Sequence, residues 1–548
     1  MRTTFYRPHR HWWQLPHFYI APIVIITAVI ALNVSAAPNY IASVIEFGEQ
    51  VQDVAVADVN GDQRQDLIVS NWNQTLGREL WLYWQQADAK FPAKPSRRIE
   101  MKRDIIAYAV ADVRPEPGAE LLFFTATGIF SYSAQHESYS GNLQKISDWE
   151  FVSAVSSPRS TPFLGVYSDW DSDGDIDLLI PGKETFALLQ ISAANKGEGP
   201  TTTVINLPKG ERRPIESDDE GQVRISLQDS IKIEVSQPSF LEGLVVDRLV
   251  PEKTSVKDNA DNAFADFQDR GTLLSLQQWI DNVQAAQINA SPEREFLFID
   301  DDLKADKQSA KRHRLNVVSL EQGRPRITYQ TSLDKRDEVQ LLDFNNDGLM
   351  DLLTVQRRGS DDVSANFYLN HNGKLNIDKA DQVIKFTGFD VKLALGDVNA
   401  DGINDLIVGA YQISTLDALR DGALVRLSLI YRGLGKSQDS SEQAIFNRRP
   451  DFKLEENFSA DDIKGLTTPV IFNLDLDGDG NNDALAIDKR GALTAKTLNH
   501  DFQLQSNPNW EFVPQRFIQE VEHYTLNQDR QPDFILHHQD GITVLVSP

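Results

Sequence analysis

Five stretches of nine residues carry oxygen-bearing side chains at the same four places, positions 1, 3, 5 and 9. They are Asp58, Asn60, Asp62 and Asp66; Asp169, Asp171, Asp173 and Asp177; Asp343, Asn345, Asp347 and Asp351; Asp397, Asn399, Asp401 and Asp405; and Asp475, Asp477, Asp479 and Asp483. Carboxylates packed this closely repel one another unless a cation neutralises them. The donors are all oxygen, which selects a hard ion. Calcium accepts six to eight oxygens at flexible geometry, whereas magnesium demands a tight octahedron and keeps its waters. Asp, Asn and Gly also make good turns unaided, but turn chemistry does not call for acids at both 5 and 9. Calcium in about five loops is therefore expected. An EF-hand is excluded, because no loop has Glu at position 12 and the flanks read as strands.

The elements that position these loops are apolar strands. Val391, Leu393 and Leu395 lead into the loop at Asp397, and Leu406, Ile407 and Val408 leave it. The same strand–loop–strand sentence recurs about every 50–60 residues, with worn copies among the intact ones. One worn loop has Asp112, Arg114, Glu116 and Glu120, and another Thr525, Asn527, Asp529 and Asp533. Arg114 is expected to hydrogen-bond the carboxylates around it and stand in for the ion. In the fourth unit, residues 241–250 with Asp247 read as the incoming strand and 294–302 as the outgoing one. The 250–292 segment between them reads as an insertion that replaces the loop. Its apolar residues Leu273, Leu276, Ile280 and Val283 predict a short amphipathic helix running to Gln287. A separate worn unit opening at Ile299-Asp300-Asp301-Asp302 is the alternative.

Units of about four strands repeated this often predict an all-β protein, a β-propeller over residues 38–548. Eight blades fit the count, or seven if one worn unit is only an excursion. The last unit shows three strands, and residues 40–47 form a strand-like run with no unit of their own. That N-terminal strand is expected to complete the last blade, because closing the ring removes exposed sheet edges.

Residues 396–410, GDVNADGINDLIVGA, with Gly388-Phe389 upstream, resemble the FG-GAP/VCBS repeat family of integrin α-subunits and bacterial surface proteins. The resemblance spans roughly residues 40–548 and is close in the five intact loops. It implies that the side chains at 1, 3, 5 and 9 bind calcium together with the position-7 carbonyls of Arg64, Asp175, Leu349, Ile403 and Asn481. It also implies that the ion pins the turn between two strands.

Composition narrows the partners. Eighty acidic against 54 basic residues give a net charge of −26, which repels nucleic acid and anionic lipid. The absence of cysteine excludes disulfides, thiol catalysis and thiolate metal sites. Residues 1–37 read as an export segment: Arg2, Arg7 and Arg10 precede an apolar run over 18–36. Val34-Ser35-Ala36 resembles a signal-peptide cleavage site, while the long leader and Trp12-Trp13 suit a retained membrane anchor. Either way the remainder is expected in the periplasm or at the cell surface. No nucleophile elbow, zinc-protease motif or phosphate-cradling glycine loop occurs. His537-His538 read as exposed residues before a turn, and Trp81, Tyr83 and Trp84 as packing residues. The basic run 304–314 reads as a solvated loop. The expected function is a non-enzymatic module binding a protein or polysaccharide. A polysaccharide lyase or hydrolase, or an envelope-assembly scaffold, is the alternative.

Overall fold

The computed structural model describes residues 39–548 apart from 136–141, 150–160, 193–199, 207–282, 302–310, 414–423, 436–443, 459–468 and shorter segments. Residues 1–37, expected to be an export segment, and the strand expected at 241–250 lie outside the described residues. Among the described residues no helix is long and apolar enough to cross a membrane.

The protein is all-β, built as eight four-stranded antiparallel sheets. Seven of them take four consecutive strands each, over residues 51–100, 105–147, 167–206, 283–334, 338–387, 389–458 and 471–512. The eighth takes three strands from residues 520–546 and borrows its fourth, Ile41–Glu46, from the other end of the chain. That strand pairs antiparallel with Gly541–Val546, from Ile41 opposite Val546 to Glu46 opposite Gly541. Burial explains the strand sequences. The inner strands Glu120–Thr125 and Asp533–His537 are buried at every residue, so they read as unbroken apolar runs. The edge strands Gln382–Thr387 and Phe452–Phe458 alternate, with Lys385 and Lys453 turned outward to blunt the edge.

Among the described residues, sheets next to each other share cores, except the third and fourth. Ile68 and Leu80 of the first pack with Tyr108 and Phe123 of the second, and Leu122 and Phe124 of the second with Leu178 and Ile180 of the third. Comparable cores join the fourth to the fifth, the fifth to the sixth, the sixth to the seventh and the seventh to the eighth. Strands Thr201–Asn206 and Arg324–Asp334 bring the third and fourth sheets together. The succession returns to its start: Ile535 and Val544 of the eighth sheet pack with Val54 and Val69 of the first. Trp81 and Tyr83 belong to that last core, and Trp84 packs on the one between the first and second sheets.

The fourth unit differs from its sequence reading. Val283–Ala286, inside the stretch expected to be helical, is a β-strand, the first of the fourth sheet. Gln287-Ile288-Asn289 follow it, and Glu295 opens strand Glu295–Asp301. Ile299-Asp300-Asp301 thus lie in an outgoing strand and open no separate unit. Residues 273–282 and 290–292, with most of the 250–292 segment, lie outside the described residues. Residues 413–461 likewise hold regular strands of the sixth sheet, Leu424–Tyr431 and Phe452–Phe458. Of the basic run, 311–314 lie in strand Lys311–Glu321 and the rest outside the described residues.

Candidate metal centre in the strand-to-strand loops

One arrangement is common to all eight sheets. The acid at position 9 stands at the start of the second strand: Asp66, Glu120, Asp177, Glu295, Asp351, Asp405, Asp483 and Asp533. Every one is at most 1% exposed. One of its oxygens accepts the backbone N–H of position 2, at 2.5 to 3.2 Å. Position 2 is always apolar and buried, so its side chain anchors in the core while its N–H grips the acid. The other oxygen accepts a donor beyond the third strand in most sheets. The donors include the N–H groups of Gln85, Ile191, Asn370, Gly433 and Ser547, at 2.7 to 3.0 Å. Asn509 Nδ2 serves in the seventh sheet at 3.0 Å, and Ser319 Oγ in the fourth at 3.2 Å. The position-9 carboxyl therefore ties three strands of its sheet at one end.

Positions 1, 3 and 5 are held by the loop's own backbone. In the sixth loop Asp397 accepts the N–H of Asp401 and of Gly402 at 3.0 and 2.9 Å. Asn399 Oδ1 accepts Asp401 N at 3.1 Å, and Asp401 accepts Ile403 N at 2.9 Å. The fifth loop repeats these bonds, and the seventh repeats three of them, with Asp475 accepting Gly478 N in place of Asp479 N. The turn requires left-handed backbone at positions 4 and 6, at φ 56° and 84° for Ala400 and Gly402. Glycine takes that conformation freely, while Ala400 adopts it at a cost of roughly 1 kcal/mol. In the seventh loop Asp475, Asp477 and Asp483 each place one oxygen within 4.8 Å of the other two, a group that could hold a metal ion. An all-oxygen set of this kind fits a hard divalent cation. Of the predicted ligands, Asp171 and Asp173 lie outside the described residues. The first, fifth, sixth and seventh loops each bring their four predicted residues into one turn.

The worn loops carry internal donors instead. Arg114 is buried, but its guanidinium turns away from the loop acids. It donates to Ser131 Oγ and O at 3.0 and 2.6 Å and to Asn142 Oδ1 and O at 2.9 and 2.7 Å. Hydrogen bonding to the carboxylates, as expected from the sequence, is not what it does. Burial lowers the pKa of Arg114, and Glu120 and Glu116 oppose that through space by favouring its charged form. In the fourth loop Asn289 Nδ2 donates to Glu295. That loop was missed because only Glu295 keeps its acid. Ile288 at position 2 and the apolar Phe296-Leu297 after the acid were the signal for it. His537 and His538 are buried rather than exposed. His537 Nε2 lies 3.1 Å from Glu522, and His538 bridges Phe517 O at 2.9 Å and Thr543 Oγ1 at 2.8 Å.

Consecutive loops are also bonded to each other. Asn482 donates to the carbonyls of Asp397 and Val398, both at 2.9 Å, and Asn404 to that of Asp343 at 3.1 Å. Met350 N meets Gln287 O at 2.7 Å, and Ala119 N meets Asp58 O at 2.7 Å. Gln65 N meets Leu526 O at 3.2 Å, joining the first loop to the eighth. The bonded loops thus occupy one end of the sheets.

Burial pushes the Asp66, Glu120 and Asp351 carboxyls up to about 7, and those of Asp405 and Asp483 up to about 6, against the backbone bonds that favour their charge. An Asp or Glu in the unfolded chain titrates near 4. Without a cation, these groups bind protons on folding; their contribution is complete below about 4 and lost as pH rises through 6 to 7. Chelated protein is expected to melt higher at pH 5 than at pH 8 in high salt, where surface charge is screened. Equal melting temperatures at the two pH values would contradict this account. A second expectation separates the two kinds of acid. Asp405→Ala strands the N–H groups of Val398 and Gly433 and should cost about 2–5 kcal/mol by denaturant titration, with or without calcium. Asp401→Ala, at an exposed position, should change the calcium-free stability by less than about 1 kcal/mol.

No family model matches the chain, and no curated protein does. Among solved structures the chain is similar to a lectin of Agrocybe aegerita, described as recognising non-reducing terminal N-acetylglucosamine. The identity is 11%, and the match covers 75% of this chain and 86% of that one at a TM-score of 0.35. A likeness of that degree carries no inference about ligand.

Proposed function

We propose that the eight sheets are the blades of a closed β-propeller of FG-GAP/VCBS type, exported from the cytoplasm, that calcium pins at one end and that binds a protein or polysaccharide. The observation that carries this reading is the identical seating of the position-9 acid in all eight sheets, joined by the loop-to-loop bonds. Gln65 to Leu526 adds such a bond between the last sheet and the first. Calcium would be held by Asp58, Asn60, Asp62 and Asp66 and by the matching residues of the other four intact loops. The ion supplies positive charge to a ring of carboxylates that otherwise repel. Stability conferred by calcium should then be greatest near pH 8 and fade toward pH 5, since it binds the ionised form.

The rest of the surface is free to vary on a rigid frame, which is how repeat folds present binding loops. Residues 18–36 offer a membrane attachment if they are retained. Crosslinking in intact cells, followed by identification of the captured partner and a glycan panel, tests the binding role. Reproducible capture of one protein or retention by one polysaccharide class supports it. Turnover of a polysaccharide, abolished by single Asp or His changes, would replace it with an enzyme.

A further inference from the structure

In the eighth loop position 1 is Thr525, and the two remaining acids converge on one hydroxyl. Ser547 Oγ lies 2.8 Å from Asp529 Oδ2 and 2.7 Å from Asp533 Oδ1. A serine hydroxyl has a single hydrogen to donate. Given to one carboxylate, it leaves the other carboxylate oxygen facing the hydroxyl's lone pairs, unless that carboxyl carries a hydrogen of its own. The other donors are already placed. Asn527 Nδ2 donates to Asp529 Oδ2 at 2.8 Å, Ser547 N to Asp533 Oδ1 at 2.7 Å and Leu526 N to Asp533 Oδ2 at 2.5 Å. Asp533 and Ser547 are fully buried.

From this geometry we infer that Asp529, Ser547 and Asp533 together hold one proton at neutral pH, and that this proton is part of a clasp beside the joint of the eighth sheet with the first. One carboxyl O–H donates to Ser547 Oγ, and the Ser547 O–H donates to the other carboxylate. The proton comes from water when the clasp forms and returns to it when the clasp opens. The clasp lies beside the joint: Leu526 O accepts Gln65 N at 3.2 Å and Gln528 meets Gln63 at 3.3 Å, while Tyr40 Oη donates to Pro532 O at 2.8 Å within the eighth sheet. The charged groups that face Asp533 favour the proton. Burial raises its carboxyl and Asp529 adds to that, while the Ser547 and Leu526 bonds oppose it. Tyr40, from the segment before the first strand, is held neutral by burial and by Asp533, Asp529 and Asp483 of the seventh loop. The inference does not depend on calcium in the other loops.

Asp529→Asn replaces the shared proton with a permanent N–H; because its amide would meet Asn527 Nδ2, it is made together with Asn527→Ser, and it should remove the pH dependence. The test is hydrogen exchange on the full chain in saturating calcium, with rates corrected for intrinsic pH effects. The reporters are strands Ile41–Glu46, Glu520–Tyr524 and Gly541–Val546, with a fifth-sheet strand as internal control. In wild type, protection of these strands should fall between pH 6 and 9, by up to about tenfold per pH unit beyond the titration. In the double variant it should change less than about twofold over the same range. Ser547→Ala should lower protection of these strands at every pH while the control strand holds. The inference is overturned if the double variant loses protection with pH as wild type does, or fails to fold at pH 8. It is equally overturned if raising calcium restores wild-type protection at pH 9, which would mark a cation site in place of a proton.

Discussion

Chelating calcium is expected to lower the melting temperature by at least about 10 °C. An ion that binds only the folded chain adds about 2.7 kcal/mol per site at a hundredfold excess over its Kd. Five such sites make this the largest single change available to the protein. The loss should be uneven. The fifth, sixth and seventh loops are intact and adjacent, and Asn404 and Asn482 bond each to the one before. The second, fourth and eighth loops lack the full Asp and Asn set at positions 1, 3, 5 and 9 and should be indifferent to chelation. The combined variant Asp347→Ala, Asp401→Ala and Asp479→Ala should therefore abolish roughly half or more of calcium's effect, since three of five complete loops are hit. Each of these acids accepts a bond from the backbone two residues on, so the turn itself loses little. A triple variant that responds to calcium like wild type would show that other groups hold the ion.

Removing residues 39–46 should be as damaging by a different route. Strand Ile41–Glu46 pairs along the whole of Gly541–Val546, each residue of which is buried. It also reaches the first sheet, because Ser43 Oγ accepts Phe91 N at 2.9 Å and Phe47 packs edge-on to Tyr83. Without it, a fully buried and largely apolar strand becomes an open edge, and such edges pair between molecules. Insoluble protein is the expected outcome. Point changes give a graded version, since neighbouring residues of a strand face opposite sides. Ile45 is 0% exposed and Val44 is 40% exposed. Ile45→Ala should cost about 2–5 kcal/mol in denaturant, and Val44→Ala less than about 1 kcal/mol. Equal effects at the two positions would contradict the pairing.

Most of the architecture was legible because the position-9 acid and the apolar run after it are local signals. Asp405 before Leu406-Ile407-Val408 announces a buried second strand and the turn before it. Where the acids had gone, the signal went too. The fourth loop keeps Glu295 but has Gln287, Asn289 and Ser291 at positions 1, 3 and 5. The strand before it, Val-Gln-Ala-Ala, has little intrinsic preference for extended structure, so tertiary pairing with Glu295–Asp301 decides it. The apolar spacing of Leu273, Leu276, Ile280 and Val283 ran across that boundary and suggested a helix.

Side-chain direction was less legible than strand placement. Arg114 lies among three acids in sequence, yet its long side chain carries the guanidinium to Ser131 and Asn142, where oxygen acceptors surround it. His537-His538 look like surface residues beside a turn. Their strand is covered on both faces, so their rings had to find the partners they have in Glu522, Phe517 and Thr543. Ser547 gives no sign in sequence of its place between Asp529 and Asp533. The third strand of the eighth sheet, Gly541–Val546, is legible in sequence, but where it delivers Ser547 is not.

The most direct measurement is the number of calcium ions per chain, by elemental analysis of purified protein after equilibrium dialysis against calcium. The account predicts about five, one for each loop complete at positions 1, 3, 5 and 9. It also predicts a drop of one for each position-5 acid replaced by alanine. Fewer than two bound ions, or a number unchanged by Asp347→Ala, Asp401→Ala and Asp479→Ala, would contradict it.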